Sequence, residues 1–126
     1  MGNNILCVED NPDNMLLMQR ALESRGYKLI KAKNGEEGVA MAEAEDVDLI
    51  LLDISLPDID GYEVARRIRS SSRNKLAYTP IIAITANALK GDAEKALSAG
   101  CDVYMSKPIN IRELWARVEA FLPAPR

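Results

Sequence analysis

"LILLDISLPDIDGYE", Leu49–Glu63, opens with four apolar residues that run into an acid, Asp53, and then turns through Pro57 and Gly61. A short apolar run bounded by turn residues reads as a buried strand. Carboxylates are seldom buried unless a partner or a metal ion compensates the charge. A strand whose last residue is Asp53 therefore delivers an acid to the rim of a sheet, and the rest of the chain must supply the reason.

Outward from this stretch the same pattern recurs. Strand-like runs at Asn4–Glu9, Lys28–Ala32, Leu49–Asp53, Ile81–Thr85 and Val103–Met105 alternate with amphipathic stretches. Several runs are apolar almost throughout, which suits strands covered on both faces. Asn11 before Pro12 predicts a helix start, Met15, Met18 and Leu22 follow at helical spacing, and Gly26 ends it. Asn34 with Glu37, Asp60 with Glu63 and Asn110 with Glu113 have the spacing of capping pairs. The fourth helix starts between Asn87 and Asp92 and ends at Gly100. The last carries Ile111, Leu114, Val118 and Phe121/Leu122 on one stripe. Ser70–Lys75 is a polar connection. The pattern is (βα) five times, an α/β chain with a doubly wound parallel sheet and helices on both faces. It is read as one domain over 1–126, with its core at about 4–122.

Composition narrows the function. Apolar residues at 48% and charged residues at 28% are those of an ordinary globular protein, and a net charge of -3 argues against a nucleic-acid surface. No apolar run is long enough to span a membrane, and "MGNNILCVED" has neither a secretory pattern nor, with Leu6 at the sixth position, a myristoylation pattern. The expected compartment is the cytoplasm. Cys7 and Cys101 cannot build a disulfide framework, and Cys7 reads as core packing. His is absent, which removes His metal sites, His bases and Ser-His-Asp triads.

In an open parallel sheet, ligands bind beyond the carboxyl ends of the strands. The first strand leads into Glu9 and Asp10, the third ends on Asp53, the fourth on Thr85, and the fifth is followed by Ser106, Lys107 and Pro108. Three acids on one rim repel, and at least one is pushed towards its neutral form unless a cation joins them. Oxygen ligands without His or Cys favour Mg²⁺ over Zn²⁺. Lys107 and the Thr85 hydroxyl suit the oxygens of a phosphoryl group. An ion and a lysine around an acceptor carboxylate are the equipment of phosphoryl transfer, and an aspartate can be its nucleophile.

"ILCVEDNPDN", "DLILLDISLPDIDGYE", "IIAITANA" and "YMSKPI" together resemble the receiver domain of two-component response regulators, over essentially the whole chain and in the family's order. The resemblance implies a flavodoxin-like fold with strand order 2-1-3-4-5. It implies that Asp53 is the phosphoacceptor. Asp10, Asp53 and the backbone carbonyl of Ser55 would bind Mg²⁺, with Mn²⁺ as a substitute, and Glu9 would act through water. Lys107, Thr85 and the backbone of Ala86 would hold the phosphoryl group. Thr85 and Tyr104 would form the switch, and Lys107–Pro108 a cis peptide. Leu56 departs from the methionine that many relatives carry there. Ser55 and Asn87, two residues beyond Asp53 and Thr85, are expected to tune water access.

Taken singly, each residue has a plainer reading: Asp53 as a turn residue, Glu9-Asp10 as a capping pair, Thr85 as a strand end, Lys107 as a solvated lysine, Tyr104 as core. Their shared register favours the site. The implied function is a phosphorylation-controlled signalling module rather than an enzyme with an external substrate. A histidine kinase or histidine phosphotransfer protein would be its donor. Its protein target would meet the face of the fourth helix, fifth strand and fifth helix, where Trp115, if exposed, is a candidate contact. No direct DNA binding and no membrane association are expected. Alternatives are a receiver from a hybrid histidine kinase or phosphorelay, and an aspartate-nucleophile phosphatase with "DID", Asp58–Asp60, as its D-x-D. A flavodoxin-like cofactor binder would need a neutral phosphate cradle where the chain has "VEDNP".

Overall fold

The runs richest in Ile, Leu and Val form the centre of a parallel sheet: β1 (Asn4–Val8), β3 (Leu49–Asp53) and β4 (Ile81–Thr85). The more polar β2 (Lys28–Ala32) and β5 (Val103–Ser106) are its edges, in the order β2-β1-β3-β4-β5. The computed structural model describes residues 3–86 and 91–125. Every residue of β3 and β4 is buried, as expected for strands covered on both faces.

Side chains alternate across a strand, so each central strand feeds two cores. Leu6, Val8, Ile50, Leu52, Ile81 and Ala83 point to one side. There they meet Ala42 of α2 (Gly35–Ala44), Val64 and Ile68 of α3 (Gly61–Arg69), and Ala96 of α4 (Asp92–Ser98). Ile5, Cys7, Leu49, Leu51, Ile82 and Ile84 point to the other side. They meet Met18 and Leu22 of α1 (Pro12–Glu23) and Leu114 and Val118 of α5 (Ile111–Phe121). Each fully buried Leu, Ile or Val contributes roughly 1.5–3 kcal/mol relative to exposure, so the strands and the two helix layers stabilise one another.

The expected caps form. Side-chain oxygens of Asn11, Asn34, Asp60 and Asn110 accept backbone N–H bonds from the first turns of α1, α2, α3 and α5. Several boundaries need correction. β1 stops at Val8, although Glu9 N–H still donates to Ala32 O at 3.0 Å. β5 runs one residue further, to Ser106. α4 begins at Asp92, within the expected range, after Gly91, whose φ of 80° is left-handed, but its last helical residue is Ser98 rather than Gly100. Asn87 and the start proposed there lie outside the described residues.

The polar connection holds a 3₁₀ turn, Asn74–Ala77, that plugs Leu76 into the core. Arg73 at its start donates to the carbonyls of Ala42, Glu43 and Glu45, which satisfies the C-terminal end of α2. Trp115 is half-buried and turned towards α1: its Nε1 donates to Ala21 O at 2.8 Å, and Arg25 stacks 3.8 Å from its ring centroid. It is therefore part of the α1–α5 packing and not a free contact on the opposite side of α5. Among the described residues, no helix is long and apolar enough to cross a membrane.

Candidate functional site at the carboxyl edge of the sheet

Strand order reverses at β1, which lies between β2 and β3. The crevice at such a reversal is where open α/β sheets bind ligands. There Glu9, Asp10 and Asp53 each offer a carboxylate oxygen, all within 4.8 Å of one another. Glu9 and Asp53 are each 1% exposed, and Asp10 faces solvent.

Local chain chemistry sets each group. Glu9 continues the β1 ladder through its bond to Ala32, and its Oε2 accepts from Asn11 N–H at 3.1 Å. Pro12 then starts α1 and turns the chain away. Asp53 is the last residue of β3, in register with Ile84, and Ile54 N–H donates to Ile84 O at 3.0 Å. Its Oδ1 accepts from Ser55 N–H at 3.0 Å and its Oδ2 from Lys107 Nζ at 3.1 Å. Lys107 also donates its backbone N–H to Thr85 O at 2.8 Å, so one residue fastens the ends of β3 and β4. Thr85 is buried, and Ala86 after it is exposed. Lys107–Pro108 is a cis peptide, as expected.

The electrostatics are unbalanced. Of the three carboxylates, Asp53 forms an ion pair with Lys107, whose charge also acts on Glu9. Burial pushes the Glu9 carboxyl up from 4.5 to about 7; the Asn11 N–H opposes the rise and the neighbouring Asp53 charge adds to it. Oε1 of Glu9 is buried with no hydrogen-bond partner. A buried orphan oxygen beside two other carboxylates is what a hard divalent cation would satisfy, and an all-oxygen donor set suits Mg²⁺. The cluster can hold a metal ion.

The D-x-D reading of Asp58–Asp60 is not supported. Asp58 accepts from Gly35 and Glu36 N–H at 2.8 Å each, and Asp60 accepts from Glu63 N–H at 2.8 Å. Both carboxylates cap helices. Sequence reasoning missed this use of Asp58, whose partners lie 22 and 23 positions away; its only local signal is the turn after Pro57. Tyr104 is half-buried, packs against the α2–α3 side of the core and pairs with Ala83. With Leu97, Ser106, Glu113 and Arg117 it lines an open groove of about 410 Å³ between α4 and α5.

Fold and site together define a two-component receiver. The response regulator receiver domain family matches residues 5–119, and the chain belongs to that family. It is 38% identical over 122 residues to the polar-differentiation response regulator DivK of Brucella anthropi, covering 97% of this chain and 98% of that one. Among solved structures it resembles the receiver domain of the sensor histidine kinase PA1611 from Pseudomonas aeruginosa PAO1, which holds a magnesium ion in its active-site cleft. That match has a TM-score of 0.87 and 40% identity, over 96% of this chain and 98% of that one. A CheY-like receiver from Methanospirillum hungatei JF-1 matches with a TM-score of 0.85 and 31% identity, over 95% and 93% of the two chains. The chain is a phosphoacceptor receiver of two-component signalling.

Proposed function

We propose that Asp53 is the residue phosphorylated, and that the acids and lysine around it make its carboxylate the acceptor. The observation that carries this reading is the contact of Lys107 Nζ with Asp53 Oδ2 at 3.1 Å, inside the only three-acid cluster found among the described residues. A carboxylate oxygen of Asp53 attacks the phosphorus of a phosphohistidine. The new O–P bond forms as the N–P bond breaks, and the donor imidazole leaves with the electron pair.

Asp10, Asp53 and the Ser55 carbonyl would hold Mg²⁺, or Mn²⁺ in its place, with Glu9 acting through water. The ion supplies charge stabilisation to the transferring phosphoryl oxygens. Lys107, Thr85 and the Ala86 N–H take up those oxygens on the opposite side. On this reading the chain catalyses its own phosphorylation and dephosphorylation and serves as a switch rather than as an enzyme with an external substrate. Thr85 and Tyr104 lie in neighbouring strands, Thr85 paired with Ser106 and Tyr104 with Ala83. A shift of Thr85 towards the phosphoryl group would therefore bias the packing of Tyr104 and the α4–β5–α5 groove, where a target protein binds.

The donor is a histidine kinase or a histidine phosphotransfer protein, and the setting is the cytoplasm. A net charge of -3 supports an output through protein contact rather than DNA or membrane. The alternative, that the unit over 1–126 is a receiver within a hybrid kinase or phosphorelay, is compatible with its 40% identity to a sensor-kinase receiver.

The test is incubation with Mg²⁺ and a small-molecule phosphodonor, followed by intact-mass measurement. One phosphoryl group is expected, lost with chelator and lost in Asp53→Asn. A wild type that stays unmodified overturns the reading.

A further inference from the structure

The loop between Asp53 and α3 carries Ser55, whose N–H binds Asp53 Oδ1. Three residues beyond Ser55, the Asp58 carboxylate reaches across to α2. Its Oδ1 accepts from Gly35 N–H and its Oδ2 from Glu36 N–H, each at 2.8 Å. α2 already has its own cap: Asn34 Oδ1 accepts from Glu37 N–H at 2.8 Å, and Gly38 N–H donates to Asn34 O at 3.0 Å. Asp58 thus supplies a second, non-local anchor at an end that is otherwise capped in the ordinary way.

The contact is close. A Cβ on Gly35 would lie 2.4 Å from Ile59 Cγ1, so the loop presses directly on the first residue of α2. Pro57, between Ser55 and Asp58, has a fixed φ, which limits the conformations open to this short span. At the other end of the loop, Gly61 N–H donates to Ile54 O at 2.9 Å. Between these ends Leu56 and Ile59 pack against the core, and Asp58 supplies the loop's hydrogen bonds to α2.

We propose that Asp58 is a positioning residue for the phosphoryl site: by fastening the Ser55 loop to α2 it sets where the Ser55 peptide lies relative to Asp53. This rests on the reading of Asp53 and its metal given above. A partner that orients a ligand from outside the site typically changes metal affinity when lost, without touching the metal itself.

The test compares Asp58→Ala, Asp58→Asn and Asn34→Ala with wild type. Mg²⁺ affinity is measured by calorimetry, thermal stability by circular dichroism, and amide exchange by NMR on metal-free protein. Asn34→Ala removes a cap from the same helix without loosening the loop, so it reports the purely structural effect. Asp58→Ala is expected to bind Mg²⁺ about tenfold more weakly, with a shifted Ser55 amide and faster exchange at Gly35 and Glu36. Asp58→Asn, which keeps one acceptor oxygen, falls between. Asn34→Ala lowers Tm and leaves Mg²⁺ affinity at the wild-type value. If both Asp58 variants bind Mg²⁺ as wild type does, Asp58 is a helix cap only and the proposal is overturned. If the wild type itself binds no Mg²⁺, the reading of the metal fails, and the positioning role with it.

Discussion

Lys107 Nζ lies 3.1 Å from Oδ2 of Asp53, across 54 positions of sequence, while the backbone N–H of Lys107 holds Thr85 O at 2.8 Å. One residue at the start of the β5–α5 loop therefore compensates the buried charge at the end of β3 and ties down the end of β4. The acid at the end of "LILLD" is tolerated because this lysine and the Ser55 N–H meet it.

Lys107→Ala removes the ammonium partner of the buried Asp53 carboxylate and leaves it facing Glu9, with the Ser55 N–H still in place. The metal-free variant should be destabilised by about 2 kcal/mol, the scale of a lost hydrogen bond to a charged group. Urea unfolding measures this, and Lys107→Arg should recover part of the loss. A midpoint unchanged in Lys107→Ala would mean that the pair adds nothing to the metal-free fold.

Glu9 makes the metal-free protein pH-sensitive. Burial lifts its folded-state value from 4.5 to about 7, so between these values the folded chain holds a proton that the unfolded chain has lost. Stability contributed in this way is intact below about pH 4.5 and declines as pH rises to about 7. Mg²⁺ favours the ionised acid, so its stabilising effect should be larger at pH 8 than at pH 5. Unfolding curves at the two pH values, with and without Mg²⁺, check both signs.

Asp10 is exposed, unlike its two acidic neighbours. Asp10→Asn should cost little in the metal-free protein, within about 0.5 kcal/mol for a surface change. It should nonetheless remove most of the rise in Tm that Mg²⁺ gives to wild type, because a ligand that binds only the folded state stabilises it by mass action. A Tm rise equal to that of wild type would take Asp10 out of the metal site.

Gly61 sits where a side chain has no room. A Cβ there would lie 2.6 Å from Ile54 Cα and 2.7 Å from Asp53 O, both backbone atoms. Gly61→Ala should therefore destabilise the protein by about 2 kcal/mol through overpacking. It should also slow phosphoryl uptake, since the backbone that must yield is that of Asp53 and Ile54. Denaturant midpoints and uptake rates at fixed Mg²⁺ give the two readouts.

Much of this was legible from local signals. Lys28–Ala32, Leu49–Asp53 and Ile81–Thr85 are strands with the expected bounds; for the last two, an apolar run between turn residues has few other destinations. The caps at Asn34, Asp60 and Asn110 follow from spacing to a Glu three residues on, and the cap at Asn11 from the Pro12 after it. What escaped was non-local. Arg73 sealing α2, Trp115 bonding α1 and Asp58 bridging to Gly35 each join residues more than twenty positions apart. No short pattern encodes such a partner. The acids were placed on the sheet rim by their strand positions, but the burial of Glu9 against the exposure of Asp10 depends on how the chain turns into α1.

The most direct test of the central claim is to locate the phosphoryl group. After reaction with a phosphodonor and Mg²⁺, borohydride reduction converts an aspartyl phosphate to homoserine, and peptide mass spectrometry reads its position. Homoserine at position 53 alone is the predicted result. Homoserine at position 10 or 58 with position 53 unmodified, or phosphate retained on a serine, threonine or tyrosine, would contradict the account.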